Sequence, residues 1–364
     1  MPKKLTRRGW TALTLALLLL SLSFIVGAVA FIDPFEVYHK ATRFIPPVTN
    51  GTQSYSNAGI AKSYDYDSVI IGSSMTENFM PSRLDALLGG RFVKLCINGG
   101  SPYNHRQMME MAFATHKIRT VLYCIDVDAL TYFYTQPKFE MPDYLYDFSL
   151  ANDVRYWFNA SVLTHYLPEC LSTWGQSDPD QRDTMYSWGD LYPYGKEYAL
   201  AGFSVGPDTE QKPAPAPFEL SQQTKLNIEH NYLPFIEAHP DTQFLFFFPP
   251  YSLVRWVRFY QSRDLELHLS QAAAVADRLL RYPNVKVYDF RARTDWILDL
   301  DQYIDDYHYG PAYNEAIAED IAADRCRVTD AAQVEQGSAV LRSLVAQVQA
   351  AGKWPDAFDL SQLP

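Results

Sequence analysis

Five short apolar runs limit what this chain can fold into: Ser68 to Ile71, Phe92 to Ile97, Val121 to Ile125, Phe244 to Phe248 and Val285 to Tyr288. They are nearly continuous in β-branched, aliphatic or aromatic side chains and do not alternate with polar ones. Strands of that composition are covered on both faces, as happens in a parallel sheet lined by helices. Stretches of helical character separate them, at Tyr103 to His116, Leu253 to Arg281, Ala312 to Asp324 and Ala331 to Ala351. The alternation predicts an α/β fold, a three-layer α/β/α sandwich around a mainly parallel five-stranded sheet.

The N-terminus has a different character. Lys3, Lys4, Arg7 and Arg8 precede a run from Trp10 to Ile32 that only Thr, Ser and Gly interrupt. At ~1.5 Å per residue such a run crosses the roughly 30 Å of bilayer hydrocarbon. Residues 1–32 are therefore expected to be a basic cytoplasmic tip and a transmembrane anchor, with residues 33–364 outside the cell membrane. Ala28-Val29-Ala30 offers an alternative, cleavage near Ala30 and secretion of the remainder.

The 364 residues suit one large domain carrying an elaboration. Residues 130–220 break the strand and helix rhythm, are rich in Tyr, Trp, Asp and Pro, and end in the extended Lys212-Pro213-Ala214-Pro215-Ala216-Pro217. They are expected to form an insertion over the sheet edge, whose rings either stack on sugar faces or fill a small core of their own. A hydrophobic content of 48% with 20% charged residues is ordinary globular composition and indicates neither disorder nor a polytopic membrane protein. The net charge of -11 argues against nucleic acid as a partner. Of the four cysteines, Cys96 and Cys124 sit in expected strands as small core residues, which leaves Cys170 and Cys326 as the pair able to bridge. No CxxC, HxxxH or HExxH spacing is present, so neither a zinc site nor any other cofactor is expected. His105, His116 and His268 fall on expected helices without a partner at ligand spacing.

Chemistry is suggested by Gly72-Ser73-Ser74-Met75-Thr76-Glu77, which follows the first strand. The pattern places a hydroxyl at the carboxyl end of a parallel strand, beside the free N–H groups of a helix start. Near the other end, Asp305-Asp306-Tyr307-His308 precedes a helix. A serine hydroxyl attacks only when a base removes its proton, and an imidazole does so best when a carboxylate fixes its tautomer. Asp305 and His308 can supply both from one loop, with Asp306 as a substitute carboxylate.

These blocks resemble those of the SGNH (GDSL-like) hydrolase superfamily, in which a Gly-Asp-Ser or Gly-x-Ser block and a final Asp-x-x-His block bracket a flavodoxin-like domain. The resemblance implies Ser74 as nucleophile, His308 as base and Asp305 as its partner. It also implies an oxyanion hole of the Ser74 N–H with that of Gly99 or Gly100, from Ile97-Asn98-Gly99-Gly100-Ser101. The third block departs: Cys124-Ile125-Asp126-Val127-Asp128 has no asparagine, and an ionised aspartate cannot donate to an oxyanion.

Asp33-Pro34-Phe35, Asn57 to Lys62, Tyr144-Leu145-Tyr146-Asp147 and Asn152-Asp153 are similar to a group of Firmicute exported proteins with an N-terminal anchor and an SGNH body. More distantly, the chain is similar to relatives that handle D-alanyl esters of teichoic acid or O-acetyl groups of surface polysaccharides. The implied activity is serine-dependent acyl-ester hydrolysis or acyl transfer on an acylated envelope glycan or a small ester. The alternatives are a catalytically silent envelope protein that uses the same cleft to bind or assemble, and a metal phosphodiesterase resting on Asp126 and Asp128.

Overall fold

The computed structural model describes residues 6–176, 181–207, 210–216 and 218–364. The expectations that fall on Lys3, Lys4 and Pro217 therefore lie outside the described residues. The chain divides into two compact units: the described parts of Met1–Val48, Ser54–Tyr64 and Met141–Pro179 form one, and those of Thr49–Gln53, Asp65–Glu140 and Asp180–Pro364 the other. The stretch expected as a single insertion at 130–220 is thus shared between them.

The larger unit holds the sheet. Its strands are β1 (Ser68–Ile71), β2 (Phe92–Lys94), β3 (Thr120–Cys124), β4 (Gln243–Phe248), β5 (Val285–Asp289) and β6 (Arg327–Val328), in the spatial order β2-β1-β3-β4-β5-β6. Strands β1 to β5 are parallel, with Val69 opposite Val121 and Phe247 opposite both Cys124 and Tyr288. β6 is antiparallel to β5, so the sheet is mixed and six-stranded where a five-stranded one was expected. β6 has only two residues, one of them the exposed Arg327, and gives no apolar run to read. Val69, Ile70, Val121, Leu122 and Phe247 are fully buried. Each such side chain stabilises the fold by roughly 1.5–3 kcal/mol, and together they hold the strand ends in a fixed row.

The chain passes from β1 outward to β2 and then back across β1 to β3. Neighbouring connections diverge there, and a crevice opens beyond the carboxyl ends of β1 and β3. The expected single helix from Leu253 to Arg281 is two, Leu253–Gln261 and Leu265–Leu279. Arg263 between them takes a left-handed φ of 68° and donates from Nε to the Glu210 carbonyl at 2.7 Å.

The smaller unit begins with α1 (Arg7–Ile32), capped by the Thr6 hydroxyl, which accepts from the Gly9 N–H at 3.2 Å. α1 is long and apolar enough to cross a membrane. Its last turn differs from the rest, because Val29 and Ile32 are buried in a core with Phe35, Phe44, Leu145, Tyr156 and Cys170. Asp33 ends the helix with φ 51°. Its buried carboxylate accepts N–H groups from Tyr38 and His39 at 2.6 and 3.0 Å and the Tyr156 hydroxyl at 3.0 Å. All four cysteines are free thiols, so the expected Cys170–Cys326 bridge is absent: Cys170 packs in this core, and Cys326 lies beside Arg293 in the larger unit.

Gly72 joins β1 to the turn that follows. A Cβ there would lie 2.6 Å from Thr76 Cγ2 and 3.0 Å from the Cys124 Cβ. Gly72→Ala is expected to lower the unfolding free energy in urea by about 2–3 kcal/mol. Gly51→Ala, whose Cβ meets nothing nearer than Thr49 Oγ1 at 3.8 Å, should stay within about 0.5 kcal/mol. Equal losses would show that the close approach at Gly72 is not what requires glycine.

Candidate active site

Ser74 opens a short 3-10 turn, Ser74–Thr76, directly beyond β1. The Thr76 hydroxyl donates to the Ser73 carbonyl at 2.7 Å and tightens the turn locally. Distant segments then pin it. Trp188 Nε1 donates to the Ser74 carbonyl at 3.1 Å, and Asn314 Nδ2 and the Tyr309 hydroxyl donate to the Met75 carbonyl at 2.9 and 3.3 Å.

The Asp-x-x-His segment is a small closed loop. A Tyr303–Tyr309 bridge ties its ends, and the Ser252 hydroxyl donates to the Asp306 carbonyl at 2.7 Å. The Tyr307 ring stacks on Tyr251 at 4.4 Å. Asp305 Oδ1 accepts the N–H groups of Tyr307 and His308, both at 2.7 Å, and Oδ2 lies 2.8 Å from His308 Nδ1. Burial alone would raise the Asp305 carboxyl, but these hydrogen bonds and the attraction of His308 bring it below its ordinary value. Asp305 is then an ionised acceptor, which places the imidazole proton on Nδ1 and leaves the Nε2 lone pair free. That lone pair faces Ser74 Oγ at 2.8 Å. Ser74, His308 and Asp305 thus form a continuous hydrogen-bonded relay. Asp306 turns away from His308 toward Arg255 and Arg258, at 3.6 and 3.3 Å.

The oxyanion-hole candidates separate. Gly100 N–H already donates to the Ile97 carbonyl at 2.8 Å. Ser74 and Gly99 N–H have no acceptor among the described residues, and both residues line the same cleft. Gly99 adopts φ 59°, a conformation that glycine takes without strain. Asp126 sits beyond β3, where its Oδ1 accepts the hydroxyls of Tyr251 at 2.6 Å and Tyr307 at 3.1 Å. Burial, aided by the charge of Asp128, pushes Asp126 up to about 6 against the hydrogen bonds of Ser73, Tyr251 and Tyr307. Near neutral pH it is an acceptor. Asp128 pairs with Arg255 at 3.2 Å.

Two clefts meet at the Ser74–His308 pair. One, of about 410 Å³, is walled by Trp188, Tyr192, Tyr198 and Ile304 with the amides Asn50 and Asn98. The other, of about 360 Å³, is smaller and charged, lined by Gly99, Asp126, Asp128, Lys138 and Arg255. The cleft aromatics come from the stretch expected as an insertion, whereas Tyr144 and Tyr156 of that stretch fill the core of the smaller unit. The Trp188 ring meets His308 edge-on at 5.5 Å, and Asn78 Oδ1 fixes it by accepting the N–H groups of Trp188 and Gly189, both at 3.0 Å. The remaining expected histidines stay away from the relay: His105 is buried against the Tyr123 hydroxyl at 2.9 Å, His268 packs on Phe259, and His116 on Tyr66.

Glu77 gave no signal in the sequence, yet it organises the amide wall. Its Oε1 accepts from Gln53 Nε2 at 2.7 Å and its Oε2 from Asn50 Nδ2 at 3.1 Å, while Gln53 Oε1 accepts the Asn98 N–H at 2.7 Å. Burial raises Glu77 to about 7, against the pull of Gln53, His308, Lys94 and Asn50. No protein-family model matches the chain, and a search among curated proteins finds no match.

The Glu77 carboxyl has a raised folded-state pKa, so its stabilising contribution is complete below the unfolded value of 4.5 and is lost as pH rises to about 7. Relative to wild type, Glu77→Gln should gain stability across that window by up to about 3 kcal/mol, read from urea unfolding at several pH values. A pH-independent difference would contradict the burial of a neutral Glu77.

Proposed function

We propose that this chain is an SGNH-type serine hydrolase or acyltransferase acting on an acylated cell-envelope glycan or a related ester. The observation that carries the proposal is the relay from Ser74 Oγ through His308 to Asp305, with both contacts at 2.8 Å. The finer architecture that goes with it is the three-layer, flavodoxin-like SGNH sandwich, for which the order β2-β1-β3-β4-β5 is support.

In this mechanism Ser74 Oγ attacks the ester carbonyl as its proton passes to His308 Nε2. Asp305 stabilises the imidazolium, and the N–H groups of Ser74 and Gly99 receive the oxyanion. His308 then protonates the departing hydroxyl, leaving Ser74 acylated. Water completes hydrolysis, and a second glycan hydroxyl completes transfer. The wider cleft suits the sugar, because Tyr192 and Tyr198 present half-exposed rings beside two amides.

The proposed placement is a single-pass anchor through α1 with the body outside. Supporting it over release near Ala30, helix α1 runs unbroken through Ala28 and Ala30, and Val29 between them is fully buried. One observation favours a silent glycan-binding or assembly protein instead: Asp126 stands where the resemblance implies an amide donor, with its Oδ1 occupied by two tyrosine hydroxyls.

Incubating the full chain in detergent with a fluorophosphonate should give one adduct by intact mass, absent from Ser74→Ala and His308→Ala. Asp305→Ala should label roughly a hundred-fold more slowly or worse. A folded wild type that takes no probe would remove the enzyme and leave the silent binder.

A further inference from the structure

We infer that the smaller unit seats itself on the bilayer through a patch around Trp174 at the outer end of α1. The inference rests on the proposed anchoring of α1 and adds a second, interfacial contact made by the folded body. Four large apolar side chains are exposed here: Phe31 at 64%, Ile45 at 38%, Leu171 at 53% and Trp174 at 43%.

Phe31 and Trp174 meet directly, and hydrogen bonds tie the segments of Ile45 and Leu171 beside them, the Trp174 N–H donating to the Leu171 carbonyl at 3.3 Å. The Phe31 and Trp174 rings lie 6.3 Å apart, and Trp174 stacks at 6.1 Å on the buried Phe44. The Ile45 N–H donates to Thr173 Oγ1 at 3.1 Å, and the Gly175 N–H donates to the Arg43 carbonyl at 2.6 Å. Soluble surfaces seldom gather exposed large apolar groups in this way without a partner.

The geometry of α1 identifies the partner as lipid. Its 26 residues extend about 39 Å at ~1.5 Å each, whereas the hydrocarbon core takes up about 30 Å. Arg7 to Gly9 take up part of the excess, and counted from Trp10 the hydrocarbon is crossed after roughly 20 residues, near Val29; in that last turn Val29 and Ile32 pack into the body while Phe31 stays exposed. The patch is therefore fixed within a turn of the point where α1 leaves the hydrocarbon, at the depth of the headgroups. Tryptophan favours that depth because its ring is apolar and its N–H polar. Arg43, exposed and without a carboxylate partner among the described residues, is placed to meet lipid phosphate.

The test uses the full chain reconstituted in vesicles of equal parts phosphatidylcholine and phosphatidylglycerol, a share of the former brominated near the head of its acyl chains. Of the seven tryptophans, Trp10 reports on the anchor and Trp174 on the patch. Both Trp10→Phe and Trp174→Phe are expected to reduce the quenching by bromine, each removing its own share. Leu171→Glu, at a side chain exposed enough to tolerate charge in water, should abolish the Trp174 share with circular dichroism unchanged. Quenching that depends on Trp10 but not on Trp174 would overturn the seat and keep the anchor. Quenching that depends on neither would remove the anchor, and the seat with it.

Discussion

A hydrogen bond of 2.8 Å between Ser74 and His308 joins residues 234 positions apart, and most of the larger unit can be understood as what that distance requires. The reach of a side chain is a few ångströms, so the backbone at both ends must be held to a fraction of one. On one side this falls to β1, whose buried residues fix its register, and to Gly72, which lets the chain turn against Thr76 and Cys124. On the other it falls to the Asp305–His308 loop, clamped by its own bridge and by the Tyr307–Tyr251 stack. Trp188 touches both, bonding to the Ser74 carbonyl and meeting the His308 ring.

Three carboxyl groups near the relay are held in different states by their surroundings. Asp305 is offered N–H donors and an imidazole and stays ionised, as a group must that orients a base. Burial raises Asp126 to about 6 against the hydroxyls of Ser73, Tyr251 and Tyr307, and Glu77 to about 7 against two amides and the attraction of His308 and Lys94. Burial is the largest influence on each of the three, and at Asp305 alone the hydrogen bonds and the attraction of His308 outweigh it. The ionised Asp305 gives His308 a fixed tautomer, while the amide wall is held by a carboxyl that burial raises to about 7.

The five parallel strands were legible because strands covered on both faces are mostly apolar, although β2 ends at Lys94 and not at the expected Ile97. The same logic could not find β6, where Arg327 faces solvent and two residues make no pattern. It also ran two helices together, since the break at Arg263 is a left-handed arginine tied to the Glu210 carbonyl, a contact set by tertiary structure. Within the site, Ser74, Asp305 and His308 could be read because each stands in a short motif at a strand end or a turn. Trp188, Asn50 and Glu77 could not, because they act through long-range partners and carry no local spacing. The two-unit division was hidden for the same reason, since the smaller unit is assembled from three separated stretches.

The proposed function requires the relay to make Ser74 a nucleophile that carries an acyl group. Rapid mixing of the full chain with excess p-nitrophenyl acetate tests it most directly. A burst of roughly one nitrophenolate per chain ahead of slower turnover is expected, with a single acetyl group on the peptide that contains Ser74. A folded protein that gives no burst, or that is acetylated elsewhere while Ser74 stays free, would contradict it.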